Sequence, residues 1–445
     1  MKHLSFIAAL ILAAPAALAQ TPPAGPEDPA SAISEIRALI AEHYFDAGEG
    51  AAIAAELERW AATQDIADTA SGAELAQALE TALQTHDRHF QVDWRGPDFV
   101  AQVQAAWDAE AAAAAASGGE EEGRQEDWEE FRSGNYGFRS AEILDGNIGY
   151  LALTTFNPLI VSQAKADAAL SFLADSDSVV IDLRGNRGGQ PELVGYLISH
   201  FLPEGERVHY NTFLPRDGEA VEMYTLAHHP AGHRPDVPLY ILVSDTTFSA
   251  AEGLAYHLQA MGRAIVVGER TGGGGNPGAR YLAASGFVVF VPDTTTRSPF
   301  TGGNWDGRGV EPDIAVPADD ALNAARIDRL SRQAVMAAVD SPEAAQAAHQ
   351  LASAQSETGT WDPTSADLEA CTGQYDGGRV WLEEGQLRYQ GSGEVRFLEP
   401  VAPGVFRFTH TDAMQVHFPG YETGRARAMR QIYPSGDFFD RNRAD

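Results

Sequence analysis

The sequence predicts an α/β core with a helical part before it and an all-β module after it. Three patterns carry that reading. From Ile148 to Val267, short apolar runs alternate with helical stretches, as in a layer of largely parallel strands covered by helices. Upstream, Ile33, Ile36, Ile40 and Tyr44 recur at helical spacing. Downstream of about Leu368, apolar and polar residues alternate between turn signals, as in a small barrel or curved sheet.

Taken in order, residues 1–19 read as a secretory signal peptide. Lys2 and His3 precede an apolar run from Phe6 to Leu12, and Ala17-Leu18-Ala19 supplies small residues for cleavage. Residues 20–32, rich in proline and small side chains, read as a flexible leader. Residues 33–95 form a helical domain of three helices. The second covers Ala51 to Thr63, and the third starts at the capping box Ser71-Gly-Ala-Glu74. Residues 96–134 are an acidic, alanine-rich linker or solvated helix centred on Glu120–Glu122. The core spans 135–320. Its expected strands are Ile148–Thr154, Val179–Asp182, Leu239–Val243, Ala264–Val267 and Phe287–Val291. Its helices are Val161–Leu173, Pro191–Leu202 and one from Ser249. A helical connector follows over 321–360, and the β module covers 368–445.

Composition narrows the function. A formal net charge of −32 repels nucleic acid and anionic membranes. After the signal, no stretch is long and apolar enough to span a bilayer, so an exported, soluble protein is expected, periplasmic or secreted. The lone cysteine, Cys371, allows no internal disulfide. There are two lysines, Lys2 and Lys165, and only Lys165 survives removal of the signal. Oligomerisation is left open.

Each candidate for chemistry has a plain alternative. Gly273-Gly-Gly275-Asn-Pro-Gly278 fits a dinucleotide template, but Pro277 and a strand follow where a helix is required. A loop that lets backbone approach closely is the better reading. His228, His229 and His233 have the spacing of metal ligands on a helix, yet Pro230 and Gly232 break that helix. With no cysteine cluster and no H-E-x-x-H, no metal or cofactor is expected. Asp182-Leu-Arg-Gly-Asn-Arg-Gly-Gly189 is either a turn with an Asp182/Arg184 pair or a set of bare N–H groups for a ligand oxygen. Ser249 opens a helix with Glu252 three residues on, which is a capping box. The same place suits a nucleophile, because a helix N-terminus favours a developing oxyanion. His89 alone reads as structural, and Asp306 alone as a turn residue.

Together these stretches resemble a family. Asn135-Tyr-Gly-Phe138, Gly146-Asn-Ile-Gly-Tyr-Leu151, the run from Asp182 to Gly189, Thr247-Phe-Ser-Ala-Ala-Glu252, Gly268-Glu-Arg-Thr-Gly-Gly273 and Gly309-Val-Glu-Pro-Asp313 occur in the order seen in the tail-specific (C-terminal processing) serine peptidases. The branch it is most similar to includes the tricorn core protease and the interphotoreceptor retinoid-binding protein modules. The resemblance covers roughly Ile33 to Val316 and implies a ClpP/crotonase-like core. It implies Ser249 as nucleophile. One branch of the family places a lysine where Gly274 stands here, and the lysine count argues against that Ser–Lys dyad. The other branch uses histidine with a carboxylate, matched by His89 in Asp87-Arg-His89 and by Asp306, where glutamate is usual; Glu311 is the fallback acid. Ser249 needs a base near neutral pH, and the imidazole needs an acceptor to fix its tautomer. The N–H groups of Gly188 and Ala250 are the expected oxyanion donors, and Gly272, Gly273 and Gly274 the expected substrate-binding backbone. No PDZ module is expected in the short interval between His89 and Gly146. The expected partner is a peptide or unfolded protein. The alternatives are a non-catalytic binder of apolar ligands on the same scaffold and an esterase using the same residues.

Overall fold

A computed structural model of the chain describes residues 25–64, 71–116, 129–338, 340–359, 361–409 and 414–444. The expected signal peptide, most of the leader and the acidic centre Glu120–Glu122 lie outside these residues.

The chain begins with α1 (Pro29–His43), α2 (Ala47–Thr63) and α3 (Gly72–Leu83). Their N-caps Asp28, Asp46 and Ser71 are extended and accept backbone N–H groups, as ordinary caps do. Strand β1 (Gln91–Trp94) and helices α4 (Pro97–Ala116) and α5 (Glu129–Ser133) follow. The α/β part contains β2 (Phe138–Leu144), β3 (Ile148–Leu153), α6 (Leu159–Phe172), β4 (Ser178–Asp182), α7 (Pro191–His200), β5 (His209–Pro215) and β6 (Val221–Tyr224). It continues with β7 (Leu239–Val243), α8 (Ala250–Ala260), β8 (Ile265–Gly268), β9 (Ala279–Ala283), β10 (Phe287–Val291), β11 (Thr294–Arg297) and β12 (Ile314–Ala315).

The main sheet has the order β12-β8-β7-β4-β3-β2, and only the β2–β3 pair is antiparallel. Its strands are apolar on both faces because both faces are covered. Val179, Ile181, Leu239, Ile241 and Val243 pack with α6, α7 and α8. The alternate residues Val180, Tyr240 and Leu242 pack instead with Ala321 and Ala325, from the helix that follows β12. Period-two alternation thus divides one apolar run between two cores.

The sequence reading placed Phe287–Val291 beside the other core strands. The structure puts it elsewhere. β10 sits in a separate sheet of order β1-β10-β9. Phe287, Val289 and Val291 complete the core of the N-terminal helices, against Ile36, Ile40, Leu57, Leu79 and Phe90. The helices bury their apolar stripes only by borrowing this hairpin, which ties the Asp87–His89 segment to the loop before β9.

Beyond the sheet, α9 (Ala321–Met336) and α10 (Pro342–Glu357) replace the single expected helical stretch. The break has a local cause: Ser341 caps α10 and Pro342 occupies its first turn. After α11 (Ser365–Cys371), an antiparallel meander runs through β13 (Gly373–Tyr375), β14 (Gly378–Glu383), β15 (Gln386–Gln390), β16 (Arg396–Ala402), β17 (Val405–Phe408), β18 (Gln415–His417), β19 (Ala428–Ile432) and β20 (Phe438–Asn442). It curls into a near-closed barrel: Asp376 N–H donates to Asn442 O at 3.0 Å and Ala444 N–H to Gln374 O at 2.8 Å. Tyr375, Leu387, Phe406, Phe408 and Phe418 fill its interior, so it is a packed core. Cys371 is buried there, and burial pushes its thiol up to about 12, which keeps it unreactive.

Burial also holds three histidines neutral, His200 down to about 4 and His257 and His417 to about 3. Their folded values lie below the unfolded value of about 6.5. Their contribution to stability is therefore complete above pH 6.5. It is lost as pH falls, because the unfolded chain takes up the protons first. The urea midpoint is expected to drop steadily between pH 6.5 and about 4. The slope is up to about 1.4 kcal/mol per pH unit for each histidine. A midpoint flat across that interval would show that these rings are not held neutral.

Candidate active site

Ser249 ends the turn between β7 and α8 with φ 54° and ψ −122°. The caps of α1, α2 and α3 lie at φ −131°, −103° and −151°. Glu252 accepts Ser249 N–H as in a capping box, but the serine backbone is in a region serine rarely adopts, at a cost of about 1–3 kcal/mol. A mere cap needs no such strain.

Glu252 holds that geometry. It is fully buried, and it collects Ser249 N–H at 2.8 Å, Thr271 Oγ1 at 2.5 Å, Gly273 N–H at 2.6 Å and Gly274 N–H at 2.8 Å. Burial raises its carboxyl above the ordinary range, and these donors pull against that rise. One side chain thereby fastens the glycine loop to the start of α8.

The loop is fully engaged. Gly272 N–H donates to Thr247 O at 3.0 Å and Gly275 N–H to Asp306 Oδ1 at 2.9 Å. The carbonyls of Gly272, Gly273, Gly274 and Gly275 accept from Arg88, Gly307, Trp305 and Thr296. Gly272, Gly273 and Gly274 were expected to offer backbone to a substrate; their N–H groups are spent inside the protein. Gly272 and Gly274 are required for a different reason. A Cβ on Gly274 would lie 2.2 Å from the Phe248 ring, and one on Gly272 2.7 Å from it. Where a dyad enzyme would carry a lysine, Phe248 fills the space. Lys165 is exposed on α6, far from this role.

The other side of Phe248 meets His89, with ring centroids 4.6 Å apart. His89 is 5% exposed, and neither ring nitrogen has a hydrogen-bond partner. The hydrogen bond to Ser249 is therefore not made in this structure. Apo sites are often loose in this way. Nδ1 lies 3.6 Å from Asp87 Oδ1. Donor atoms of Asp87, His89 and Asp306 all fall within 4.8 Å of one another. Burial and the charge of Asp87 push the Asp306 carboxyl up to about 6.

Asp87 is a site residue that the sequence reading left without a role. It is buried and accepts His89 N–H at 2.8 Å, Asn276 Nδ2 at 3.0 Å and Tyr44 Oη at 3.4 Å. The signal was its place two residues before the histidine. Glu311, the fallback acid, is exposed and paired with Arg270. It is outside the cluster because its side chain turns to solvent beyond the loop that carries Asp306.

The oxyanion donors need a comparable revision. Gly188 packs directly on Ser249, since a Cβ there would lie 2.8 Å from Ser249 Cβ and 2.9 Å from Ala250 N. However, its N–H donates to Asn186 Oδ1 at 2.8 Å. The N–H groups of Gly189 and Ala250 have no partner among the described residues, and both residues line a cavity of about 60 Å³ with Ser249, Val194, Phe213 and Trp305. A groove of about 700 Å³ between α2 and α3 contains none of these residues.

A three-layer α/β domain thus presents a strained serine at a helix N-terminus, next in sequence to a phenylalanine that packs on a buried histidine, which is grouped with two carboxylates. Residues 147–316 match the model of peptidase family S41. The carboxy-terminal processing protease CtpB of Bacillus subtilis is 27% identical over 42% of this chain and 38% of its own length. The chloroplastic carboxyl-terminal-processing peptidase 1 of Arabidopsis thaliana is 32% identical over 43% of this chain and 37% of its own. Among solved structures, the photosystem II D1 C-terminal processing protease aligns with a TM-score of 0.33 and 26% identity, over 39% of this chain and 43% of that one. The chain spans less than half the length of the curated relatives it matches. Among the described residues, no helix is long and apolar enough to cross a membrane.

Proposed function

We propose that the chain is an exported serine peptidase of ClpP/crotonase-like core, acting on peptides or unfolded proteins without a PDZ module. The observation that carries this reading is the strained backbone of Ser249, whose neighbour Phe248 packs on the His89 ring. Ser249 Oγ attacks the substrate carbonyl while His89 takes its proton; the carbonyl oxygen becomes the oxyanion. His89 then protonates the leaving amine, and water hydrolyses the acyl-enzyme. Ala250 N–H is one oxyanion donor. The second comes from the Gly188–Gly189 pair, and Gly189 is favoured because its N–H is uncommitted. Asp306 orients the imidazole from one side, with Asp87 on the other. The names of the processing-protease relatives support a protein substrate.

The cavity beside Ser249 suits one small uncharged side chain next to the scissile bond. Its volume of about 60 Å³ is too small for an apolar ligand beside Ser249, because small-molecule pockets run about 300–1,000 Å³. A fluorophosphonate probe tests the proposal directly. Peptide mapping is expected to find the label on Ser249. No label, or label only on another residue, would overturn the reading.

A further inference from the structure

We propose that Asp87, His89 and Asp306 also bind a divalent ion of the zinc class, and that the bound ion switches Ser249 off. The first half stands on geometry alone; the second rests on the peptidase reading.

Two buried or half-buried carboxylates face one imidazole, and their donor atoms lie within 4.8 Å of one another. A second observation is independent of the acids: His89 is 5% exposed and both of its nitrogens lack a hydrogen-bond partner. A buried polar group without a partner is costly, and a ligand that takes its lone pair removes that cost. Among the described residues, neither Asp87 nor Asp306 forms an ion pair with lysine or arginine, so their charge is available to a cation.

The donor set selects the ion. One imidazole with two carboxylates suits zinc and its neighbours, whereas calcium and magnesium take oxygen ligands. Tetrahedral zinc, with bonds of about 2.0–2.1 Å, spaces its ligand atoms about 3.3 Å apart, so shifts of about 1 Å close the cluster. The ligands are already held from behind. Asn276 and Tyr44 donate to Asp87, and Gly275 N–H donates to Asp306. Such outer contacts fix the orientation of ligating side chains. Three protein ligands leave a fourth position for water. A neutral imidazole has one in-plane lone pair, so an ion on the nitrogen that faces the carboxylates leaves the proton on the other nitrogen, which then cannot take the Ser249 proton. The occupied site leaves the serine without a base.

The test uses the full chain in two arms. In the first, zinc is titrated against a chromophoric chelator. One tight equivalent is expected in the wild type, weakened about 10–100-fold or more by Asp306→Asn and by His89→Gln. Unchanged affinity in both variants would place the zinc elsewhere, for instance on the exposed His228 loop, and overturn the site. Thermal melts establish that each variant is folded, and either one alone decides the question. The second arm follows fluorophosphonate labelling of Ser249. Labelling is expected to fall in step with zinc occupancy and to return with a chelator. Labelling that persists at full occupancy would overturn the inhibition. A metal-free wild type that never labels would instead overturn the peptidase reading, while the first arm still decides the ion site.

Discussion

Ser249→Ala is expected to abolish labelling and hydrolysis, and His89→Ala to slow acylation of Ser249 by about 10²–10⁴-fold with the fold intact. The serine hydroxyl is a weak nucleophile until a neighbour takes its proton, and His89 is the imidazole that packs on Phe248, the residue before it. Lys165→Ala should leave the rate unchanged, because that side chain is exposed on α6. The acids divide unequally. Both oxygens of Asp87 already accept from His89 N–H, Asn276 and Tyr44. Asp306 has Oδ1 on Gly275 N–H, and its Oδ2 has no partner among the described residues. Asp306→Asn should therefore slow acylation more than Asp87→Asn, and Glu311→Gln should do nothing measurable. Single-turnover labelling rates for the set decide this. A larger loss in the Asp87 variant would transfer the orienting role to that residue, and equal losses from Lys165→Ala and His89→Ala would revive a lysine mechanism.

Glu252→Gln carries the second large effect, on stability and site geometry together. The carboxylate accepts two donors on each oxygen. A glutamine of the same shape replaces one oxygen by an NH₂ group; turned toward Thr271, whose hydroxyl can accept, it still leaves Gly273 N–H without an acceptor. A buried donor left unsatisfied costs about 1–3 kcal/mol, so a loss of at least that size is expected. That is a large part of the stability of an ordinary domain, about 5–15 kcal/mol. The urea midpoint should fall sharply. Where the variant is still folded, Ser249 labelling should be slower, because Ser249 N–H and the glycine loop lose their common anchor. A midpoint near wild type would show that the four bonds do not hold the strained turn.

Some of this was legible in the residue order. The alternation from Ile148 to Val267 specified a parallel sheet with helices. The apolar run Leu239–Val243 marked a strand buried on both faces, although sequence could not say which residues served which core. The box at Ser249 and Glu252 was visible as a pattern. Its two parts looked like any helix cap, because a capping box reads the same at φ −151° and at 54°. The residue order of the glycine loop suggests backbone open to close approach by a substrate. Its glycines are set instead by the Phe248 ring and by Glu252, contacts across more than twenty residues that no local pattern encodes. Phe287–Val291 was a clear strand whose sheet was misassigned, since a strand does not name its partner.

By itself the sequence determined the classes of element, the lack of a usable lysine and the residue types able to do acyl transfer. Those follow from local periodicity and composition. Tertiary structure decided the rest: that Asp87 joins His89 and Asp306, that Glu311 turns to Arg270 outside that cluster, that the N–H groups of Gly272, Gly273 and Gly274 are bonded within the protein, and that Ser249 is strained. Each depends on which distant backbone and side chains share a buried space, and only the folded chain brings them together.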